Sequence, residues 1–286
     1  MLINKNIFSD NNGNELRLSS VFQTDQEVNF QNFSAKYVVS GNEKYTLNNR
    51  KISLKEGEYV IGNKHTTSSV LIDNDSPVNG ICIDIAKELI TEIIDYQYQN
   101  TIAFSDFLFE QEWMVQKYNV KNTCLGYALH QLSNDFDDLS KGNSKVNKEL
   151  FYAVAECIVK DQSQIFQSFN ALKSVKEETN GRLFNFIYEA KNYMDDYFLE
   201  KINIELIARE AKLSEYHFIR LFKTIFSITP YQYIIHKRLE HSKKLLIQKK
   251  ALQEVAFLTS FADSASFCKA FKCKYGYTPK QFSIVN

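Results

Sequence analysis

A repeat in the last third of the sequence constrains the fold more than any other feature. The segment FIRLFKTIFSITPYQY matches FCKAFKCKYGYTPKQF at a constant offset of 49 residues. The matched pairs are Phe218 with Phe267, Phe222 with Phe271, Lys223 with Lys272, Thr229 with Thr278, Pro230 with Pro279 and Gln232 with Gln281. Self-similarity at this period indicates one supersecondary unit used twice, and two copies are too few for a solenoid.

The first copy predicts two short helices joined by a tight turn. Asn203 is suited to cap a helix over residues 204–211, with Glu205 in its first turn. Lys212 and Leu213 then form the turn, and Ser214 caps a second, amphipathic helix over residues 215–226. This order is typical of a helix-turn-helix motif.

The second copy follows the same order over residues 252–275, with Asp263 as the cap of its second helix. The small residue of the first helix pairs Ala208 with Ala256 at an offset of 48, one less than the offset beyond the turn. We therefore expect one extra residue between the turn and the outward helix. Lys212 and Ser260 occupy a turn position where glycine is common, at a cost of about 1 kcal/mol each.

A single long helix is predicted to join the two copies. Pro230 suits the first turn of that helix and Thr229 its cap. About 19 residues of helix span about 28 Å. Two outward helices held at that separation would face successive major-groove openings of a duplex, which lie roughly 34 Å apart.

The first 85 residues have a different pattern, in which short β-rich runs alternate with turn signals. The runs are Tyr37–Val39, Tyr45–Leu47, Tyr59–Ile61, Ser69–Ile72 and Gly80–Ile85, separated by GN, NN, EG and DNDSP. Their spacing of roughly 8 to 12 residues is typical of a small antiparallel sandwich or barrel.

After Ala86 the periodicity becomes helical, most clearly over residues 147–175. The apolar stripe of that helix is either intramolecular core or, as a sharper hypothesis, a dimer seam. The polar segment SVKEETNG, residues 174–181, is the candidate linker.

Composition limits the classes of function. The 286 residues carry no net charge, but residues 181–286 hold 17 Lys and Arg against 10 Asp and Glu, and the rest hold 17 against 24. The split favours a polyanionic partner for the C-terminal part, although a solvated helix face would leave the same signature. No window approaches the roughly 20 apolar residues of a membrane span, which favours a cytoplasmic protein.

Cysteine usage gives no sign of a disulfide framework or a zinc site. The five cysteines are scattered and form no CxxC pair, so we expect buried free thiols.

The segment from Leu252 to Phe282 resembles the signature of the AraC/XylS family of bacterial transcription regulators. The resemblance rests on the spacing of Val255-Ala256, Phe261, Phe267, Phe271-Lys272, Gly276, Thr278-Pro279 and Phe282. It implies a DNA-binding domain of two helix-turn-helix motifs over residues 181–286. The order and length of residues 1–175 also resemble the family's cupin-like β-barrel with following dimerisation helices, here β-rich to about residue 85.

The expected fold class is therefore α+β: an N-terminal cupin-like β-barrel with helices, then an all-α domain of two helix-turn-helix units joined by a long helix. The resemblance implies a sequence-specific, DNA-binding transcription regulator of the activator type. The expected partners are double-stranded DNA, RNA polymerase, a small-molecule effector and a second copy in a homodimer. A regulator without an effector, controlled by its abundance or by a protein partner, remains an alternative.

Motif position implies the DNA-binding residues. In the first copy these are Tyr216, Ile219 and Arg220, with Arg220 suited to pair bidentately with guanine. In the second copy they are Ser264, Ala265, Ser266 and Lys269, where small side chains disfavour strong direct readout. Lys223 and Lys272 are expected near backbone phosphate, and the helix starts at Ser214, Thr229 and Thr278 offer free amides to phosphate.

The alternative of a different class is a cupin-like small-molecule-binding or enzymatic protein with an accessory helical domain, because cupin-type barrels can hold a catalytic metal. The β region has one histidine, His65, and no HxH pair, and no GxSxG, P-loop or GxGxxG motif occurs. We expect neither a cofactor nor a catalytic residue.

Overall fold

The computed structural model describes residues 3–48, 50–98, 101–111, 116–143, 146–172 and 177–285. The chain divides into two compact units, residues 1–170 and 171–286. The first combines a sheet with helices, and the second consists of helices.

The described part of the first unit contains an antiparallel sheet of eight strands, which range from four to 18 residues in length. They are β1 (Ile3–Ser9), β2 (Glu15–Glu27), β3 (Phe33–Ser40), β4 (Asn42–Leu47), β5 (Arg50–Lys55), β6 (Glu58–Gly62), β7 (Ser68–Ile85) and β8 (Gln116–Asn119). The hydrogen-bonded path runs β1-β2-β7-β3-β6-β8, and β4 branches from β7 to pair with β5. Within the described residues this path does not return to β1, so the pairing does not close a barrel.

Alternation along β7 gives the sheet two buried faces. Val78 belongs to an apolar cluster that also includes Val21, Val38 and Val60. Ile83 points to the other face. Leu16, which pairs with Ile83 across β2 and β7, and Phe8, which pairs with Leu16 across β1 and β2, point to that same face. The Phe8 ring lies 4.8 Å from the ring of Phe151, on a helix of the same unit.

The helices of the first unit follow the sheet. They are α1 (Lys87–Gln97), α2 (Thr101–Phe109), α3 (Cys124–Asn134), α4 (Phe136–Lys141) and α5 (Lys148–Asn170), with a 3-10 turn at Val120–Asn122. The apolar stripe of α5, from Phe151 to Phe169, is buried in the unit. This stripe is intramolecular core, and the hypothesis that it forms a dimer seam was wrong.

Three local expectations for the first unit were also wrong. DNDSP does not separate two strands, because β7 continues through it and accommodates it as an irregularity opposite Val21 and Gln23. Strand β8 lies in sequence that was predicted to be helical, since four residues are too few to show a period. Cys124 and Cys157 are not free thiols but form a disulfide between α3 and α5.

The disulfide has no signature in the sequence because its cysteines are 33 residues apart and meet only when α3 packs on α5. Among the remaining cysteines, Cys82 and Cys268 are partly buried and Cys273 is exposed.

The second unit consists of seven helices in its described part. They are α6 (Glu177–Tyr197), α7 (Ile204–Glu210), α8 (Glu215–Phe226), α9 (Pro230–Ile247), α10 (Leu252–Leu258), α11 (Ser264–Tyr275) and α12 (Pro279–Val285). Residues 177–181 of the candidate linker are helical, and residues 174–176 lie outside the described part of the chain. The glycine that suggested a break, Gly181, is buried in α6.

The core of the second unit is aromatic. Phe218 and Phe222 of α8 are fully buried, as are their counterparts Phe267 and Phe271 of α11. The latter pack in one cluster with Leu239 and Leu246 of α9 and Val255 of α10. Across all the residues that the structure describes, no helix combines the length and the apolarity needed to cross a membrane.

Candidate nucleic-acid interface

The two turns between the paired helices are closed by equivalent hydrogen bonds. The Leu213 amide donates to the Ala208 carbonyl at 3.0 Å, and the Phe261 amide donates to the Ala256 carbonyl at 2.9 Å. Both alanines are buried where the second helix approaches the first. These bonds confirm the offset of 48 residues on the N-terminal side of the turn.

Both turns adopt the left-handed backbone that favours glycine. Lys212 has a φ of 57° and Ser260 a φ of 54°. The absence of glycine therefore does not loosen the turns, and the two residues carry a backbone cost of about 1 kcal/mol each instead.

Beyond the turn, both outward helices begin with a side-chain cap. The Ser214 hydroxyl accepts from the His217 amide at 3.2 Å. In the second copy Asp263 Oδ1 accepts from the Ser266 amide at 2.6 Å. The two caps confirm the offset of 49 residues. The backbone hydrogen bond from Ser266 also holds the pKa of Asp263 below its ordinary value.

Helix α8 presents large side chains on its outer face. Tyr216 is 77% exposed, Arg220 and Lys223 are exposed, and Ile219 is half-buried. The opposite face packs inward through Phe218, Leu221, Phe222 and Ile225. Within the described part of the chain, the Arg220 guanidinium has no acidic partner, which leaves its donors available to a ligand.

Helix α11 presents smaller side chains in the equivalent region. Ala265, Ser266, Lys269 and Lys272 are exposed and Ser264 is half-buried. Of these, only the two lysines can reach far from the helix. That the second helix offers little for base recognition stays a prediction.

The helices that follow each outward helix begin with the same capping box. The Gln232 amide donates to the Thr229 hydroxyl at 3.3 Å, and the Thr229 amide donates to Gln232 Oε1 at 3.0 Å. The same two bonds join Thr278 and Gln281 at 3.2 and 2.8 Å. The hydroxyls of both threonines, like that of Ser214, are thus engaged in capping. A phosphate at these positions would have to bind backbone amides that the caps leave free.

Three polar side chains on α9, those of Tyr233, Lys237 and Arg238, hold the unit together and were missed from the sequence. Asp195 of α6 accepts from the Tyr233 hydroxyl at 2.6 Å and lies 2.9 Å from the Lys237 ammonium. Arg238 donates to three backbone carbonyls, those of Phe198, Glu200 and Ser260. Burial of its guanidinium lowers the pKa of Arg238 from its ordinary value.

The sequence did contain a signal for Arg238. It lies four residues after Ile234 and four before Ser242, and both of these are buried. An arginine on the buried stripe of an amphipathic helix needs several polar partners, because burial of an unsatisfied charge is costly.

The C-terminal unit matches known proteins at the level of sequence. A family described as a helix-turn-helix domain matches residues 207–283. The chain is 36% identical over 94 residues to the protein named "Probable transcriptional regulator LumQ" from Photobacterium leiognathi, a match that covers 32% of this chain and 38% of that protein. The chain thus spans well under half the length of this relative.

A longer match reaches into the N-terminal part of the chain. The protein named bifunctional transcriptional activator/DNA repair enzyme AdaA, from Bacillus subtilis, is 29% identical over 184 residues, which cover 54% of this chain and 87% of that protein. Among solved structures, ToxT from Vibrio cholerae aligns over 94% of this chain and 96% of its own, with 13% identity and a TM-score of 0.36.

Proposed function

We propose that the chain, a member of the AraC/XylS family of transcription regulators through its C-terminal unit, binds a specific operator in double-stranded DNA and thereby regulates transcription. The observation that carries the proposal is the pair of outward helices, α8 and α11. Each begins with a side-chain cap and exposes polar side chains near that end. A helix placed this way reads base edges when it enters a major groove.

In the first motif, Arg220 provides the main direct readout. Its free guanidinium matches the O6 and N7 acceptors of guanine, and a good bidentate pair contributes about 1–3 kcal/mol of discrimination. Tyr216 and Ile219 precede it on the same helix and supply apolar surface for thymine methyl groups. The exposure of Tyr216 supports this role, because an aromatic side chain so open to water has little packing role in the unit.

The second motif contributes more to the affinity for DNA than to discrimination between bases. Lys269 contacts a base or a phosphate, while Ser264, Ala265 and Ser266 let the helix approach the groove closely. Lys223 and Lys272, which are exposed at equivalent positions of the two motifs, contact the phosphate backbone. Free amides at the helix starts marked by Ser214, Thr229 and Thr278 add further phosphate contacts.

Residues 1–175 form the regulatory part of this proposal, and residues 181–286 the DNA-binding part. The sheet of the first unit serves as a cupin-like effector domain, and the helices after it support a homodimer. A cavity of about 450 Å³ near β2, β4 and β7 is the candidate effector site; its lining includes Glu27, Thr46, Lys64 and Ser69. Effector binding alters contacts with DNA or RNA polymerase, and the protein acts in the cytoplasm as an activator, not as an enzyme.

Selection from a random duplex library with the full chain tests DNA binding directly. We expect the wild-type protein to enrich one motif with two half-sites. Arg220→Ala should lose the preference at one base position and weaken binding to that motif by about 10- to 100-fold, the equivalent of one bidentate contact.

The chain offers a matched control for Arg220. Arg209 on α7 is also exposed, but it pairs with Glu205 of its own helix at 2.5 Å. Arg209→Ala should therefore keep both the motif and the affinity. Failure of the wild-type chain to enrich any sequence would contradict the proposed function, and an unchanged motif with Arg220→Ala would contradict the readout assignment alone.

A further inference from the structure

The segment between α6 and α7 accepts hydrogen bonds from α9 and from the turn of the second motif. Arg238 Nε donates to the Phe198 carbonyl at 2.7 Å, and Arg238 Nη2 donates to the Glu200 carbonyl at 2.8 Å. The carbonyl between these two, that of Leu199, accepts a hydrogen bond from the Ser260 hydroxyl. Three consecutive carbonyls at the entrance of the first motif are thus held from α9 and from the turn of the second motif.

Arg238 also contacts the second motif itself. Its Nη1 donates to the Ser260 carbonyl at 2.9 Å, so one guanidinium joins the segment before α7 to the turn before α11. We call Arg238, Ser260 and the carbonyls of Phe198, Leu199 and Glu200 the clasp. The planar guanidinium directs several donors at fixed angles, which a lysine ammonium cannot reproduce.

The backbone of Ser260 is strained, and the hydrogen bond of its hydroxyl in the clasp gives a reason for serine at this position. Its φ of 54° lies in the left-handed region, where glycine is less strained than serine. Glycine has no hydroxyl and would leave the Leu199 carbonyl without this partner. The equivalent residue of the first motif, Lys212, has the same backbone conformation but an exposed side chain.

The clasp reinforces the connection that the long helix makes between the motifs. Without it, only α9 and its packing would relate the first motif to the second, and bending or rolling of that helix would change the separation of α8 and α11. With it, the Ser260 hydroxyl bonds the turn of the second motif directly to the entrance of the first, and three more hydrogen bonds join both segments to Arg238 of α9.

We propose that Arg238 and Ser260 are positioning residues that set the spacing between the two half-sites the domain accepts. This inference rests on the proposed function and adds a determinant of specificity that touches no base. A change of one base pair moves the second half-site by about 3.4 Å along the duplex axis and turns it by about 35°. A rigidly held pair of motifs should reject such a change, and a loosely held pair should tolerate it.

The test uses the full chain and the operator selected by the wild-type protein. Binding is measured on that operator, on duplexes with one base pair added or removed between the half-sites, and on a duplex with the first half-site alone. The variants are Ser260→Gly, Arg238→Lys and the matched control Lys212→Gly. Melting temperatures are recorded for all four proteins.

Ser260→Gly separates positioning from stability. The substitution relieves backbone strain, so the melting temperature should not fall by the amount expected from loss of a buried contact. We nevertheless expect binding to the selected operator to weaken about tenfold, because a less defined geometry lowers the effective concentration of the second motif. Discrimination against the altered spacings should shrink by a similar factor, while binding to the single half-site stays unchanged.

The other two variants complete the comparison. Arg238→Lys keeps the positive charge but loses the planar set of hydrogen-bond donors. It should also bind the altered spacings relatively better than the wild type does. Lys212→Gly should keep the wild-type spacing preference. The proposal is overturned if Ser260→Gly and Arg238→Lys retain the wild-type preference for one spacing, or if Lys212→Gly loses it equally. If the wild type selects no operator, the proposed function fails first, and the two failures are thereby distinguished.

Discussion

The Tyr233 hydroxyl donates a 2.6 Å hydrogen bond to Asp195, and this bond joins α9 to α6. The same carboxylate lies 2.7 Å from the Lys191 ammonium and 2.9 Å from that of Lys237. Burial by itself raises the pKa of Asp195, but the two lysines and the hydrogen bonds outweigh it and hold the pKa below the ordinary value.

This arrangement predicts loss of stability in acid. Because the folded pKa of Asp195 is depressed, its contribution is present above the unfolded pKa of about 3.9 and is lost as the pH falls through the folded pKa. Asp195→Asn should lower the free energy of unfolding at neutral pH by roughly 2 kcal/mol, since it removes charge-assisted hydrogen bonds. In this variant the free energy of unfolding should also fall less steeply as the pH is lowered.

Denaturant titrations between neutral pH and pH values near 3 would measure both effects. Glu210→Gln, at an exposed carboxylate on α7, is the control and should change neither the stability nor its fall with pH. If the free energy of unfolding of Asp195→Asn falls with pH as steeply as that of the wild type, other carboxylates govern the acid transition.

Because the two helices of the second motif approach closely, a larger side chain at their contact should destabilise the domain. Ala256 is buried and its carbonyl closes the turn, so Ala256→Leu should destabilise the domain by roughly 1–3 kcal/mol through overpacking. Ala262 is exposed in the same turn region, and Ala262→Leu should have little effect. Thermal melting of the two variants side by side would decide, and equal melting temperatures would count against the close approach.

The capping box at the start of α12 predicts a cost for losing one hydroxyl. Thr278→Ala should destabilise the domain by about 1 kcal/mol, because the Gln281 amide loses its partner. Thr278→Ser keeps an oxygen at that position and should restore most of the loss. Chemical denaturation of the three proteins measures the difference, and a serine variant as unstable as the alanine variant would point to the lost methyl group instead.

The exposed lysines of the two motifs predict a change in salt dependence. If Lys223 and Lys272 each neutralise one phosphate, the logarithm of the affinity should fall less steeply with the logarithm of salt concentration, by about 0.9 in slope for each alanine substitution. Base preference should stay the same. Lys201→Ala, at an exposed position between α6 and α7, should keep the wild-type slope in the same fluorescence-anisotropy titrations.

Local rules were sufficient to predict the C-terminal motifs. The boundaries of α8 and α11, the caps at Asn203, Ser214 and Asp263, and the shift from 48 to 49 between the offsets are confirmed by hydrogen bonds that join residues close in sequence. Caps and tight turns depend on short-range chemistry, so a single sequence contains their signal.

Features that depend on distant partners were not predicted. The Cys124–Cys157 disulfide, strand β8 and the passage of β7 through DNDSP all arise from pairing across the fold. The contacts of Arg238 belong to the same class, since Phe198 lies 40 residues away from it. In each case the identity of the partners becomes visible only when packing brings them together, even where, as for Arg238, the helical pattern shows that a partner is needed.

The length of α9 has a consequence for the nucleic acid. Its 18 residues span about 27 Å, less than the roughly 34 Å between successive major-groove openings of straight B-form DNA. If the clasp holds α8 and α11 no farther apart than α9 is long, a straight duplex cannot present successive openings to both, and the duplex must curve toward the protein. The base pairs between the half-sites would then be selected for how easily they bend, although no side chain contacts them.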